Sequence, residues 1–311
     1  MSTDYIPICF CFDFNFLPYA CVATNSLRLN STSPLKIYWV IPKKEASLIL
    51  NVKTAIEEEF NTKIHLKIAD ESVFDNWIIT AHFSTANYFR LLIPYIIEED
   101  KVIYLDSDTI VKNDLLELYS NDIEEFYFGG VPDIEAGEKV QIPFTEGDTY
   151  INTGVLLINS EKLRGADFLN SSIEIYRKYS SMITWADQDI INKFASDQKF
   201  LVDPKWNRIV NPNFISKTKF NDLMYQSNTA ISHFTGPIKP WLKWCNPAVQ
   251  EYWWQYAKDI KSIEVPVQEI TTPAQAHLLA LSLDLNEEFK EASALKEQII
   301  TYLVEHIKQA S

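Results

Sequence analysis

The first 110 residues alternate between strand-like and helix-like segments, and this alternation restricts the fold more than any other feature. Ile6–Phe12 reads as a strand, Tyr19–Leu29 as a helix with Pro18 suited to its first turn, and Leu35–Ile41 as a strand. Ala46–Phe60 repeats Leu48, Val52, Ile56 and Phe60 at helical spacing, and Lys63–Ile68 alternates as a strand. Ser84 suits the cap of a helix running to about Ile97, with Pro94 kinking or shortening it, and Val102–Leu105 is a fourth strand. This β-α-β-α-β-α-β order predicts an α/β fold, a mainly parallel sheet with helices on both faces. Ligands of such sheets bind beyond the carboxyl ends of the strands.

Two acids stand at one of those ends. In KVIYLDSDTIV, Lys101–Val111, an apolar strand runs into Asp106-Ser107-Asp108. Neighbouring carboxylates repel, more so when buried, and a divalent cation with hard oxygen ligands removes the conflict. Taken alone, D-x-D also suits an Asp-rich turn or a helix cap. Three further segments add to it. ISHFTGPIKPW, Ile231–Trp241, offers His233 as an imidazole ligand, Gly236 for close backbone approach to an oxyanion, and Lys239 as a point charge for phosphate. TYINTGVLLIN, Thr149–Asn159, sets Asn152, Thr153 and Gly154 in a strand. WADQDIIN, Trp185–Asn192, places Asp187, Gln188 and Asp189 in the first turn of a helix, where acids also serve the helix dipole.

Strands at Phe126–Val131 and Tyr150–Asn159 flank the polar segment PDIEAGEKVQIPFTEGD, which suits a loop that covers a site. Helices follow at about Asp167–Tyr179 and Ala186–Phe194. Pro266 and Pro273 bracket a linker before two amphipathic helices, Ala274–Leu283 and Glu287–Ile307. Their apolar face (Leu278, Leu281, Leu295, Ile299, Leu303) is expected to pack on the main domain or on a second copy. The division expected is a catalytic domain over 1–264 and a helical extension over 265–311, with a homo-oligomer through that extension.

Charge narrows the partners. With 28 basic and 42 acidic side chains the formal charge is −14, which argues against nucleic acid or an anionic membrane. No apolar run reaches the length of a membrane span, and the N-terminal segment lacks the basic region of a signal peptide. Cys9 and Cys11 share one face of a strand and read, with Cys21 and Cys245, as small core residues of a reducing compartment. A cytoplasmic protein is expected.

Together these motifs resemble retaining glycosyltransferases of family 8, the group of bacterial lipopolysaccharide α-galactosyl- and α-glucosyltransferases and the glycogenins. The resemblance covers roughly Ile6 to Trp241, through CFDFN, TANYFRLL, LDSD, INTGVLLIN, WADQDIIN and HFTGPIKPW. It implies a GT-A type, Rossmann-like domain and a hexosyltransferase acting on UDP-glucose or UDP-galactose. It further implies that Asp13 and Asn15 contact uracil and ribose. Asp106, Asp108 and His233 would hold Mn²⁺, or Mg²⁺, with Ser107 beside the donor. Gly236 and Lys239 would bind the diphosphate. Arg90, Asn152, Thr153, Asp187 and Gln188 would surround the donor hexose, with Gln188 near the anomeric carbon and Asp187 and Gln188 as the catalytic pair.

The acceptor, a glycan, glycolipid or protein, is not legible. Tyr150, Tyr225, Trp206, Trp241, Trp244, Trp253 and Trp254 suit either sugar stacking or core packing. From Val265 onward three lysines face seven acids, a net charge of −4 without arginine, which weighs against seating on the inner membrane face. Two other classes make different demands. A scaffold that kept only the fold predicts damaged motifs, and a glycoside hydrolase needs two acids on different elements with room for a sugar between them.

Overall fold

The computed structural model describes residues 5–78 and 84–310. Ten strands are present among them: β1 Ile6–Cys11, β2 Leu35–Pro42, β3 Ile64–Ala69, β4 Lys101–Leu105, β5 Thr109–Val111, β6 Phe128–Pro132, β7 Ile151–Asn159, β8 Lys199–Leu201, β9 Arg208–Val210 and β10 Ile231–Phe234. Seven of them form one sheet in the order β3-β2-β1-β4-β7-β6-β8. β1, β2, β3 and β4 run parallel as the alternation predicts, and β6 is parallel to β8. β7 is antiparallel to both of its neighbours, so the sheet is mixed though mostly parallel.

Apolar residues cover both faces of this sheet. Ile6, Ile8 and Phe10 of β1 pack with Leu17, Ala20 and Ala23 of the helix Leu17–Asn30 and with Ile49 and Ile56 of the helix Ala46–Phe60. Cys9 and Cys11, on the opposite face, pack with Tyr88, Phe89 and Phe168. Alternation along one strand therefore feeds two cores, the pattern of a sheet buried between helical layers. All four cysteines are buried and unpaired.

A second sheet, in the order β5-β10-β9, stands against the first. β10 is antiparallel to β5, with His233 opposite Thr109, and parallel to β9. Only three residues, Asp106 to Asp108, separate β4 of the large sheet from β5 of the small one. The D-x-D is the hinge between two sheets.

Two expectations change, and one open choice is decided. The segment after Ser84 is a 3₁₀ turn, Thr85–Leu91, followed by a short helix, Ile93–Ile96. Ser84 does cap it, with Asn87 reaching back to the Ser84 N–H at 3.0 Å, but Pro94 lies near the start of the second helix, where its missing N–H costs nothing. The C-terminal pair, Pro273–Leu285 and Phe289–Ala310, buries Ala276, Ala280, Leu283 and Ala292, while Leu281 and Leu303 stay exposed. Leu278 joins the core beneath, and Leu295 and Ile299 are half-buried. Ala276 and Ala280 at i and i+4, with Leu283 at i+7, turn the packed face away from the Leu281 side, and the two small side chains let the helices approach closely. Finally, Trp206, Trp241, Trp244 and Trp253 are core residues, with Trp241 stacked on Tyr19 at 3.6 Å between ring centres; Tyr225 is exposed.

Candidate active site

The turn after β4 is built by its own backbone. Asp106 N–H donates to Gly154 O of β7 at 2.8 Å, and Thr109 returns both its N–H and its hydroxyl to Asp106 O. Phe234 N–H reaches Asp108 O at 3.1 Å, which draws β10 alongside. These bonds bring the Asp106, Asp108 and His233 side chains to one point. One ligand-type atom from each lies within 4.8 Å of the others. His233 Nε2 is 3.6 Å from Asp106 Oδ2 and 3.3 Å from Asp108 Oδ1.

The cluster fits a divalent cation on two counts. Two carboxylate oxygens and an imidazole nitrogen are the donor set that Mn²⁺ accepts and Mg²⁺ tolerates. Asp108 Oδ1 is buried and has no hydrogen-bond partner, so an acceptor lone pair stands unused beside His233. Burial pushes the Asp108 carboxyl up, but the Lys239 ammonium outweighs it and holds the carboxyl well below the usual carboxylate range. Lys239 Nζ sits 2.5 Å from Asp108 Oδ2 and donates to Phe234 O at 2.8 Å.

Gly154 makes the cluster possible. A Cβ there would lie 2.0 Å from His233 Cε1, so the imidazole occupies the space that any side chain would fill. Gly236, after β10, is a different case: its φ of +81° asks for glycine, while a Cβ would meet nothing.

Arg90 joins the Asp106 end of the cluster to Asp187. Its guanidinium is 3.0 Å from Asp187 and 2.9 Å from Asp106, and it donates to Thr153 O and Oγ1 at 2.9 and 2.8 Å. It lies over the Tyr104 ring, whose hydroxyl donates to the same Asp106 oxygen. Burial pushes the Asp187 carboxyl up to about 7, against the pull of Arg90 and with that of Asp106. Asp187 and Gln188 open the helix Asp187–Ala195 after Ala186, whose φ of +49° is unusual for a residue with a side chain. Gln188 Oε1 accepts Thr153 N–H at 3.0 Å, and its Nε2 donates to Asp133 at 3.3 Å.

The remaining predicted residues are placed less directly. Ser107 is buried with an unpartnered hydroxyl in the hinge. Asn152 is buried and bonded to Gly154 N–H, Asp133 and Asn207. Asp13 and Asn15 follow β1 at the same sheet edge as the hinge; Asp13 caps its own turn, accepting from Phe16 N–H at 3.2 Å, and Asn15 is exposed. Reading the sequence missed Asp133 and Asn207. Asp133 is the second residue of the segment expected to cover a site, and it caps the short helix Ile134–Gly137 there. Asn207 lies in KWNRIV, which carries no recognisable signal.

The model of glycosyl transferase family 8 matches residues 7–245, more than half of the chain. The chain belongs to glycosyltransferase family 8. Glycosyltransferase GlyF of Streptococcus pneumoniae is 28% identical over 211 residues, 68% of this chain and 51% of that protein. The chain thus matches about half the length of this relative. The lipopolysaccharide 1,3-galactosyltransferase of Salmonella typhimurium is 27% identical over 211 residues, covering 65% of this chain and 62% of that one. Among solved structures, the galactosyltransferase LgtC in complex with donor and acceptor sugar analogues superimposes with a TM-score of 0.71 at 26% identity, over 83% of this chain and 98% of that one. This family member therefore has the GT-A-like fold. Among the described residues no helix is long and apolar enough to cross a membrane.

Proposed function

We propose that the chain is a retaining, divalent-metal-dependent hexosyltransferase that moves glucose or galactose from a UDP-sugar to an acceptor hydroxyl. The observation that carries this reading is the convergence of Asp106, Asp108 and His233 beside two fixed cations, Lys239 and Arg90. A bound Mn²⁺ or Mg²⁺ would supply Lewis-acid neutralisation of the diphosphate leaving group. Lys239 would add a point charge at the same oxygens on release from Asp108. Arg90 pairs with Asp187 and would hold it beside the hexose, and Thr153 and Asp133 fix the direction of the Gln188 amide.

A double displacement needs a free nucleophile opposite the leaving group. Gln188 is an amide, a poor nucleophile. Asp189 is fully engaged, by the Tyr150 hydroxyl at 2.6 Å and by Thr184 and Trp185 N–H groups at 2.7 and 3.0 Å. Asp187 is paired with Arg90. These engagements favour attack of the acceptor on the face from which UDP leaves. A glycosyl adduct trapped on Asp187 or Asp189 would refute this.

The test is UDP release from a panel of UDP-sugars with Mn²⁺, Mg²⁺ or EDTA, in the wild type and Asp108→Ala. Turnover of one UDP-hexose, lost with EDTA and in the variant, is expected. No binding of any UDP-sugar would overturn the reading. Intact-mass measurement of the purified protein separates a self-glucosylating enzyme, which gains hexose increments, from one with an external acceptor. We also propose residues 1–264 as the catalytic domain and 265–311 as an extension that meets a second copy; exposed Ile300, Leu303 and Val304 support the latter, and sedimentation tests it.

A further inference from the structure

Asn207 closes the turn Pro204–Asn207 ahead of β9 and is 2% exposed. Its two polar atoms face different halves of the site. Oδ1 lies 3.0 Å from His233 Nδ1, and Nδ2 lies 2.8 Å from Asn152 Oδ1. Which atom is oxygen, and where the imidazole proton sits, follow from which partners can donate and which can only accept.

Asn152 is the fixed point. Its Oδ1 receives the backbone N–H of Gly154 at 2.9 Å, and a backbone N–H can only donate. Its Nδ2 reaches Asp133 Oδ2 at 2.9 Å, and a carboxylate oxygen can only accept. Turning the Asn152 amide over would break both bonds. With Asn152 Oδ1 held toward Asn207, Asn207 must present its NH₂ group there and its carbonyl to His233. The neutral His233 ring must then carry its proton on Nδ1, and Nε2 is left as a lone pair beside Asp106 and Asp108.

We infer that Asn207 is a positioning residue of the metal centre, holding His233 in the Nδ1–H tautomer through the line Asp133–Asn152–Asn207–His233. This rests on the metal-dependent reading above. Without an acceptor at Nδ1, the two carboxylates would draw the ring proton to Nε2 and block the ligand lone pair. Partners of this kind set the tautomer and basicity of metal-binding histidines. The same Asp133 oxygen accepts from Gln188 Nε2 at 3.3 Å. One carboxylate therefore orients both the metal-binding histidine and the amide proposed to lie at the reacting carbon.

The test uses the full chain, as Asn207→Leu and Asn207→Asp. Mn²⁺ affinity is read from the electron paramagnetic resonance of the free ion, with and without UDP. The ring tautomer is read from long-range ¹⁵N spectra without metal, and His233 is assigned among the five histidines by its own substitution. The wild type is expected to show Nδ1–H. Asn207→Leu is expected to move the proton to Nε2 and weaken Mn²⁺ binding roughly 10- to 100-fold. Asn207→Asp gives up its bond to Asn152 Oδ1 but still accepts from Nδ1–H, so it should keep the tautomer and bind within about threefold of wild type or more tightly. An Nε2–H ring in the wild type, or unchanged Mn²⁺ affinity in Asn207→Leu, would overturn the assignment. If Asn207→Leu does not fold, a tenfold loss in folded Asn207→Asp would do so. A wild type that binds no Mn²⁺ under either condition would instead overturn the metal-dependent reading, and the spectra would still judge Asn207.

Discussion

Replacing Gly154 by alanine tests whether the two sheets are fitted around the His233 ring. The added Cβ would lie 2.0 Å from Cε1, 2.6 Å from Nδ1 and 2.7 Å from Nε2 of His233. Carbon atoms rest about 3.5 Å apart or more, so one partner must retreat by roughly 1.5 Å. β7 has little freedom to do so, since it is hydrogen-bonded between β4 and β6 and Gly154 O holds Asp106 N–H. The imidazole must move, and so displaced it cannot keep both its 3.0 Å bond to Asn207 and its place beside the two carboxylates. Overpacking of this size costs about 1–3 kcal/mol, and loss of the buried hydrogen bond adds about 1 kcal/mol. Urea denaturation should therefore show Gly154→Ala less stable by about 2–4 kcal/mol. Mn²⁺ binding and UDP-hexose turnover should fall at least tenfold, roughly the effect of disturbing a ligand's support. Gly165→Ala is the control, because a Cβ there meets nothing within 4 Å. A Gly154→Ala protein with wild-type Mn²⁺ affinity and a stability loss under about 0.5 kcal/mol would refute the reasoning.

Arg90→Met should leave Asp106 and Asp187 without their buried partner and cost about 3–5 kcal/mol in urea denaturation, a loss that Arg90→Lys recovers only in part because lysine lacks the fork. Lys199 and Asp148 form an ion pair at 2.7 Å with side chains 2% and 4% exposed; Lys199→Met should cost about 3–5 kcal/mol, whereas adding Asp148→Leu should restore much of it. Asp114 accepts from Thr32 and Ser33, backbone and side chain, and from Leu116 N–H, and these bonds outweigh burial to hold its carboxyl well below the usual range. Its stabilisation is therefore complete above the unfolded value of about 3.9 and is lost as pH falls below it, so Asp114→Ala should cost about 1–3 kcal/mol at pH 7 and progressively less below about pH 4, measured by denaturation at each pH.

The parts of the site that lie in one strand and its exit could be read from the sequence. β1 through β4 alternate cleanly with helices, and the acids after Leu105 interrupt an apolar run. The parts that depend on pairing could not. β9 and β5 are three residues each, too short for periodicity to register, yet they fix where His233 stands. The antiparallel course of β7 leaves no mark either, because a strand buried on both faces has the same composition in either direction. Asn207 and Asp133 escape for a related reason. Their roles lie in partners 26 and 19 positions distant, His233 and Asn152, and each residue alone is an ordinary turn residue. Thr85–Leu91 shows the reverse: the cap at Ser84 was legible, but the 3₁₀ geometry that follows was set by packing of Tyr88, Phe89 and Leu91 into the core.

The hinge at Asp106–Asp108 joins sheets whose other strands are far apart in the chain. Asp108 and His233 are 125 positions apart. Anything that grips both closes a loop of that length, and loop-closure entropy grows only logarithmically with length. The candidate centre is thus among the last features able to assemble as the chain folds, since it awaits pairing of β10 with β5. A ligand that binds there is linked to the global equilibrium: it draws the population toward the state in which both sheets are docked, by an amount set by its concentration relative to its dissociation constant.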